Sequence, residues 1–298
     1  MESQSFKISP TTTIHAQIAS LVPNRNKKPL LVFFHYWGGT SATWRKLTEP
    51  TSPTSVSTDY PTLALDLRGW GKSTGPSQDD GNAYSATSMA SDAVQILTDI
   101  SQNDAGGLLT HGLVLVGHSM GAKVALATLA NLPETLLKLA KGLVLIAPSP
   151  PSALHLPAEM KEQQRGAYSS EESVRFTLGN ILSSFTLLDE DDIRCGVRDS
   201  LSGNELAKKA WPAYGMEEDI SSEVKTVLKA VVASDPGFKA VVLIGDGDIV
   251  ETKEKVEAEV VQVLVDSGVQ TSVKVVQNVR HLLPLEAPRA VQEVISKF

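Results

Sequence analysis

Residues 112–127 read Gly112-Leu113-Val114-Leu115-Val116-Gly117-His118-Ser119-Met120-Gly121-Ala122-Lys123-Val124-Ala125-Leu126-Ala127, an apolar run that breaks at Gly-X-Ser-X-Gly and resumes with helical composition. The stretch predicts a strand, a sharp turn and a helix. A serine on such a turn is held in a strained backbone conformation with its hydroxyl clear of the sheet edge, and Gly117 and Gly121 let the strand and helix approach each other. That is how a nucleophile is displayed.

Upstream, Leu30-Leu31-Val32-Phe33-Phe34-His35 is a continuous apolar run of the kind buried on both faces of a parallel sheet, and it ends in Tyr36-Trp37-Gly38-Gly39. Thr62 to Leu65 predicts a further buried strand, followed by the glycine turn Asp66-Leu67-Arg68-Gly69-Trp70-Gly71-Lys72-Ser73, and Ala86 to Ile100 has helical spacing. Before them, Ser5–Ser9 and Thr13–Ala19 alternate as a hairpin bounded by Pro10 and the Pro23-Asn24-Arg25-Asn26 cluster. Downstream, Gly142–Ala147 predicts a buried strand stopped by Pro148, Pro150 and Pro151. From Ser152 to Asp219 no strand-like run occurs; the stretch predicts helices, including Glu171 to Leu188. The alternation then resumes with a strand over Phe238–Ile244, a helix over Lys253–Asp266, a strand over Thr271–Val279 and a terminal helix over Glu286–Lys297.

Repeated strand-helix alternation with right-handed crossovers gives an α/β, mostly parallel, doubly wound sheet of about eight strands. The expected organisation is a core over 1–151, a helical lid over 152–219 and the rest of the core over 220–298. The 298 residues, 42% hydrophobic and 20% charged, suit an ordinary globular chain. A net charge of −7 without a Lys/Arg block argues against nucleic acid as a partner. The single Cys195 cannot form an internal disulfide, the polar first 17 residues carry no apolar leader core, and the apolar runs are of strand length. A cytoplasmic chain without a membrane span is expected. Ser296-Lys297-Phe298 approximates a Ser-Lys-Leu peroxisomal address but reads more simply as the charged end of a helix. Leu188-Asp189-Glu190-Asp191-Asp192 reads as a solvated acidic turn rather than a metal site, since no histidine lies near it.

Serine needs a base to take its proton. Among the histidines, His15 lies mid-strand at the edge, His111 precedes its strand, His155 is in the lid, and His118 sits beside Ser119 with its ring directed elsewhere. His281, where the last strand ends, is the expected base. The carboxylate that orients it should end a strand between Ser119 and His281, where Asp246 and Asp248 are the acids so placed. Gly245 turns the chain so that Asp246 leaves on the turn, while Asp248, past a second glycine, can fold back beneath His281. The backbone N–H of Met120 and one from the His35 loop, at Trp37, are the expected oxyanion donors. Tyr36, Phe176, Phe185 and Trp211 are the expected apolar lining of the pocket.

Gly-His-Ser-Met-Gly, Asp-X-Arg-Gly-X-Gly-X-Ser at 66–73, Gly-Asp-Gly-Asp after a strand, and His-X-X-Pro-X-Glu-X-Pro at 281–288 together resemble the α/β-hydrolase superfamily over nearly the whole chain. The resemblance implies Ser119 as nucleophile, Asp248 as acid, His281 as base, and Trp37 and Met120 as oxyanion amides. The Asp66–Ser73 motif itself reads as a structural turn rather than a catalytic one. The chain departs from the family with His35-Tyr36 for His-Gly and with Arg280 for the glycine before the histidine; both are expected to crowd the entrance. A serine elbow disfavours the dehalogenase and epoxide hydrolase branches, which attack with a carboxylate. The expectation is a cofactor-independent, metal-free serine hydrolase acting on a small-molecule carboxylic ester, thioester or lactone. Carbon–carbon bond hydrolysis, perhydrolysis with the same triad, and a ligand receptor on the same fold are the alternatives.

Overall fold

The structure, a computed structural model, describes residues 1–20, 27–103 and 107–298. The Pro23-Asn24-Arg25-Asn26 cluster lies outside the described residues. Eight strands form one sheet: β1 (Glu2–Lys7), β2 (Thr13–Ala19), β3 (Leu30–Phe34), β4 (Thr62–Leu65), β5 (Leu113–His118), β6 (Ala140–Ile146), β7 (Lys239–Gly245) and β8 (Gln270–Val276). Their order across the sheet is β1-β2-β4-β3-β5-β6-β7-β8. β2 pairs antiparallel with β1 and β4, and every other pairing is parallel.

The apolar runs explain why this sheet is covered twice. Along β3, Leu30, Val32 and Phe34 enter one apolar core, while Leu31 and Phe33 enter the other. Successive side chains point to opposite faces, so an unbroken aliphatic run needs apolar partners on both. Helices Ala86–Asn103, Met120–Asn131 and Ser221–Ser234 cover the first face, and Pro288–Ile295 covers the second together with Trp44 and Leu47.

Several boundaries differ from the sequence expectation for identifiable reasons. The first strand lies at Glu2–Lys7 rather than at 5–9, because the Ile8 and Ser9 amides both turn back onto the Thr12 carbonyl. His15 is consequently not at an edge, since β1 covers β2. The last strand stops at Val276, where a turn with Asn278 at φ 60° begins, and the terminal helix is shorter than expected, Pro288–Ile295, after the helical turn Leu283–Glu286. Beyond it Phe298 packs back beneath the Lys239 ammonium, 4.6 Å from the ring centre.

Between β6 and β7 the chain forms helices Ala158–Gly166, Glu171–Phe176, Glu190–Ser202 and Glu205–Ala213. The second runs on through a wide turn, Thr177–Leu182, and stops there rather than at 188, because Ser183, whose amide closes the last wide turn onto the Leu178 carbonyl, goes extended at φ −150° and ψ −152°. The acidic stretch 188–192 is not wholly solvated. Asp189 and Asp192 form a capping box at the start of Glu190–Ser202, and the buried Asp192 carboxylate is paired with Arg45 and Lys46. The two ends of the insertion are tied together by the Leu154 amide on the Met216 carbonyl (2.8 Å) and the Ile220 amide on the Pro151 carbonyl (2.9 Å). Lys123, fully buried on helix Met120–Asn131, donates to the carbonyls of Ser152, Met216 and Glu218. Among the described residues no helix is long and apolar enough to cross a membrane.

Candidate active site

Ser119 sits at φ 55°, ψ −119°, between the end of β5 and helix Met120–Asn131. A non-glycine residue there is strained, so its surroundings must hold it. The Ser119 amide donates to the Ile146 carbonyl at 2.9 Å, and the Ser119 carbonyl accepts from Ala122 at 2.9 Å and from Ser149 at 3.2 Å. Helix and sheet meet closely here: a side chain at Gly121 would run into the carbonyls of Phe34 and His35, and one at Gly117 into the Gly121–Ala122 backbone. Glycine is required at both places for steric reasons alone.

His281 follows β8 and is fully buried in a loop pinned from three sides. Its amide donates to the Leu182 carbonyl at 3.0 Å, its carbonyl accepts from His118 Nε2 at 2.8 Å, and its Nδ1 lies 2.8 Å from Asp248 Oδ2. The other oxygen of Asp248 accepts the amides of Val250 (2.8 Å) and Glu251 (3.1 Å). Those two bonds fix the carboxylate and leave Oδ2 for the imidazole. A carboxylate can only accept, so Nδ1 carries the proton and Nε2 is left with a free lone pair. Asp246, two residues earlier, is exposed on the turn.

The electrostatics follow from this packing. Burial works to raise the Asp248 carboxyl, but the charge and hydrogen bond of His281 and the two amides outweigh it and hold it below the ordinary carboxylate value. For His281 burial opposes protonation, but Asp248 foremost, then Glu251 and Glu286, raise it above the ordinary histidine value. His118 behaves oppositely: burial, and then the neighbouring His281, drive it down to about 3. Because the His281 carbonyl accepts, His118 carries its proton on Nε2, and its Nδ1 is buried without a partner.

Ser119 and His281 line one cavity of about 470 Å³, between the carboxyl ends of the strands and the 152–219 helices. Tyr36, Trp37, Phe176 and Trp211 line it as well, the Phe176 side chain with about half its surface exposed. Met120 is buried directly after Ser119. Trp37 turns its indole into the insertion, with Nε1 on the Lys208 carbonyl at 3.1 Å and its ring 4.3 Å from Tyr168.

Two expectations are corrected. Phe185 does not line the cavity: the chain has left its helix at Leu182, and the ring lies over Gly179 with 55% of its surface exposed. Arg280 does not crowd the entrance either, because its guanidinium reaches sideways to the carbonyls of Ser183 (2.5 Å) and Asn180 (3.2 Å) and clasps the insertion to the His281 loop. The Asp66–Ser73 turn is bonded within itself, through Lys72 and Ser73 onto Asp66, and to the elements around it. Asp66 accepts from Ser41, Lys72 and His15, while Arg68 pairs with Asp92.

Sequence reasoning missed the polar group Ser149, Glu251 and Lys255 on the cavity wall, the bond from His118 to His281, and Lys123. The signal for Lys123 was present, a lone charge in the apolar run Met120–Ala130. Among the described residues no group of three or more His, Cys, Asp or Glu side chains is placed to hold a metal ion.

Residues 31–294 match the sequence profile of a family described as the alpha/beta hydrolase family. No curated protein matches the chain by sequence. Among solved structures, a bromoperoxidase from Bacillus anthracis superposes with a TM-score of 0.74 at 15% identity, covering 100% of both chains. A thermophilic esterase from Thermogutta terrifontis does so with 0.70 at 19% identity, covering 100% of this chain and 97% of its own. The epoxide hydrolase CorEH gives 0.68 at 17% identity, covering 100% and 98%. At such identities the likeness is one of fold.

Proposed function

Since the chain belongs to the alpha/beta hydrolase family, we propose that it is a serine hydrolase cleaving a carboxylic ester, thioester or lactone through an acyl-enzyme on Ser119. The observation that carries this reading is the buried bond between His281 Nδ1 and Asp248 Oδ2, 2.8 Å long, behind a cavity that both Ser119 and His281 line.

In this reading His281 Nε2 takes the hydroxyl proton as Ser119 Oγ adds to the substrate carbonyl carbon. Negative charge moves to the carbonyl oxygen, where the backbone N–H groups of Met120 and Trp37 meet it. The imidazolium, steadied by Asp248, then protonates the leaving oxygen or sulfur as its bond to carbon breaks. Water repeats the cycle: His281 takes its proton, hydroxide adds to the acyl carbon, and the acid leaves as the proton returns to Ser119. The Asp248 charge stabilises the imidazolium without itself being protonated. The helices of 152–219 serve as a lid over the bound acyl chain. A serine elbow favours this chemistry over attack by a carboxylate, which the epoxide hydrolase branch requires.

A fluorophosphonate probe at neutral pH tests the assignment, because it reports an activated hydroxyl rather than an accessible one. Labelling should map to Ser119 and vanish in His281→Ala. Labelling of another serine, or labelling that survives loss of His281, would overturn it.

A further inference from the structure

The cavity wall beside Ser119 is apolar over most of its extent, through Leu154, Leu156, Ile181, Leu182, Trp211 and Met216. Polar side chains interrupt it at Glu162–Gln164, Ser173 and Thr177, and at Ser149, Glu251 and Lys255. The last three line the same cavity, and their side chains make no hydrogen bond to Ser119, His281 or Asp248, the Glu251 charge reaching His281 only through space. Ser149 and Glu251 are 3% and 2% exposed. Their backbones adjoin the reacting groups: the Ser149 amide donates to the Ser119 carbonyl and the Glu251 amide to Asp248 Oδ1.

The side chains form a row. Ser149 Oγ donates to Glu251 Oε1 at 2.7 Å, and Lys255 Nζ, one helical turn on, lies 2.7 Å from Glu251 Oε2. A buried ion pair is a poor device for stability, because desolvating two charges consumes most of what their attraction returns. Apolar side chains would have closed this end of the cavity at lower cost. The row does, however, present defined hydrogen-bonding capacity. The Ser149 proton is committed to the carboxylate, which leaves its oxygen as an acceptor; Lys255 retains further N–H donors. The Glu251 and Lys255 charges cancel, so the row favours neither a cationic nor an anionic ligand.

We propose that Ser149, Glu251 and Lys255 form a recognition subsite for an uncharged substrate group that both donates and accepts hydrogen bonds, a hydroxyl or a carboxamide on the chain of the compound hydrolysed. The assignment rests on the hydrolase reading for its reaction and on the cavity alone for its ligand. Ser149 accepts the ligand's proton, Lys255 donates to its oxygen, and Glu251 holds both side chains in place. A hydrocarbon in the same position strips water from Ser149 and Lys255 without replacing it, so the subsite discriminates against plain acyl chains.

The test is a set of acyl esters matched in length, with a hydroxyl, a carboxamide or a methyl group moved stepwise along the chain. At one position the hydroxyl or the carboxamide ester should exceed its methyl counterpart about tenfold or more in kcat/KM, and the arm that gains identifies the group. Ser149→Ala should reduce that ratio at least about fivefold, and Lys255→Met should reduce it independently, each read only within one protein so that partial loss of fold cancels. A wild-type ratio near one at every position, or a ratio that neither substitution changes, would overturn the subsite. Methyl ketone analogues of the same chains, titrated against Ser119→Ala by tryptophan fluorescence, separate the two readings. The same preference in binding without turnover of any ester by the wild type would remove the hydrolase and leave the subsite. Turnover without preference in either assay would do the reverse.

Discussion

Asp246 and Asp248 are the same side chain two residues apart, and their surroundings give them different work. Asp248 is buried with one oxygen held by two amides and the other on His281, whereas Asp246 is exposed. In the reading proposed here, Asp248→Asn offers an amide where the imidazole needs an acceptor, and the wrong tautomer follows. Loss of kcat should approach the ~10⁴-fold seen for the same change in the serine-protease triad, while Asp246→Asn should cost less than about tenfold as a turn residue. Steady-state kinetics of the two variants decide the matter, and the opposite ranking would reassign the acid. His118 acts one bond further out. Its Nε2–H holds the His281 carbonyl at 2.8 Å and its ring flanks the imidazole with centres 5.2 Å apart. His118→Phe keeps the ring and removes the donor, so kcat should fall on the order of 10–100-fold from misplacement of the base, with KM little changed. His118→Gln, which restores an N–H, should recover most of the loss. Equal kcat in both variants would make His118 packing only.

At the scale of elements, what the sequence disclosed is what depends on neighbours along the chain. Unbroken aliphatic runs marked β3, β5, β6 and β7 because each needs apolar cover on both faces, and Gly117 and Gly121 marked the turn because no side chain fits there. Asp248 was legible from two glycines and a short loop. Partners brought together by the fold were not. Nothing local in Asp192 foretells Arg45 and Lys46, nearly 150 positions away, or in Glu251 foretells Ser149. The insertion shows the same division: its helices were legible, but which aromatic faces inward depended on where the Thr177–Leu182 turn ends. Trp211 lines the cavity at 8% exposure and Phe185 does not line it. Trp211→Ala should therefore open space for longer chains and raise the kcat/KM ratio of long to short acyl esters about tenfold, the order that one or two methylenes contribute in an apolar pocket. Phe185→Ala should leave that ratio where it was. A panel of straight-chain esters on both variants measures it, and equal profiles would mean that the insertion does not set acyl length.

The whole molecule carries two histidines as neutral groups in its interior. His35 uses both ring nitrogens, Nδ1–H toward the Tyr36 carbonyl at 2.7 Å and Nε2 accepting the Leu67 amide at 3.0 Å, and burial lowers it to about 4. His118 is lowered to about 3, again chiefly by burial. In the unfolded chain both return to an ordinary value near 6.5. A group whose folded value is depressed contributes stability that is fully present above the unfolded value and is lost as pH falls toward the folded one. For these two the window opens at about 6.5 and runs down to about 4 and about 3. His281, raised in the fold, has the opposite sign, with its contribution fully present below the unfolded value. Among these histidines two thus lose stability as pH falls and one gains it, and the carboxyls that burial raises, Asp92, Asp199, Glu251 and Glu286, gain with it. Between pH 7 and pH 5 each depressed histidine should withdraw on the order of 2 kcal/mol from the free energy of unfolding. Urea denaturation at the two pH values gives the total, and His118→Gln, which has nothing to protonate, should show a fall smaller by about its share. An unchanged fall in that variant would mean that His118 takes up its proton as readily in the folded chain as in the unfolded one, at Nδ1, and that the ring beside His281 is not held neutral.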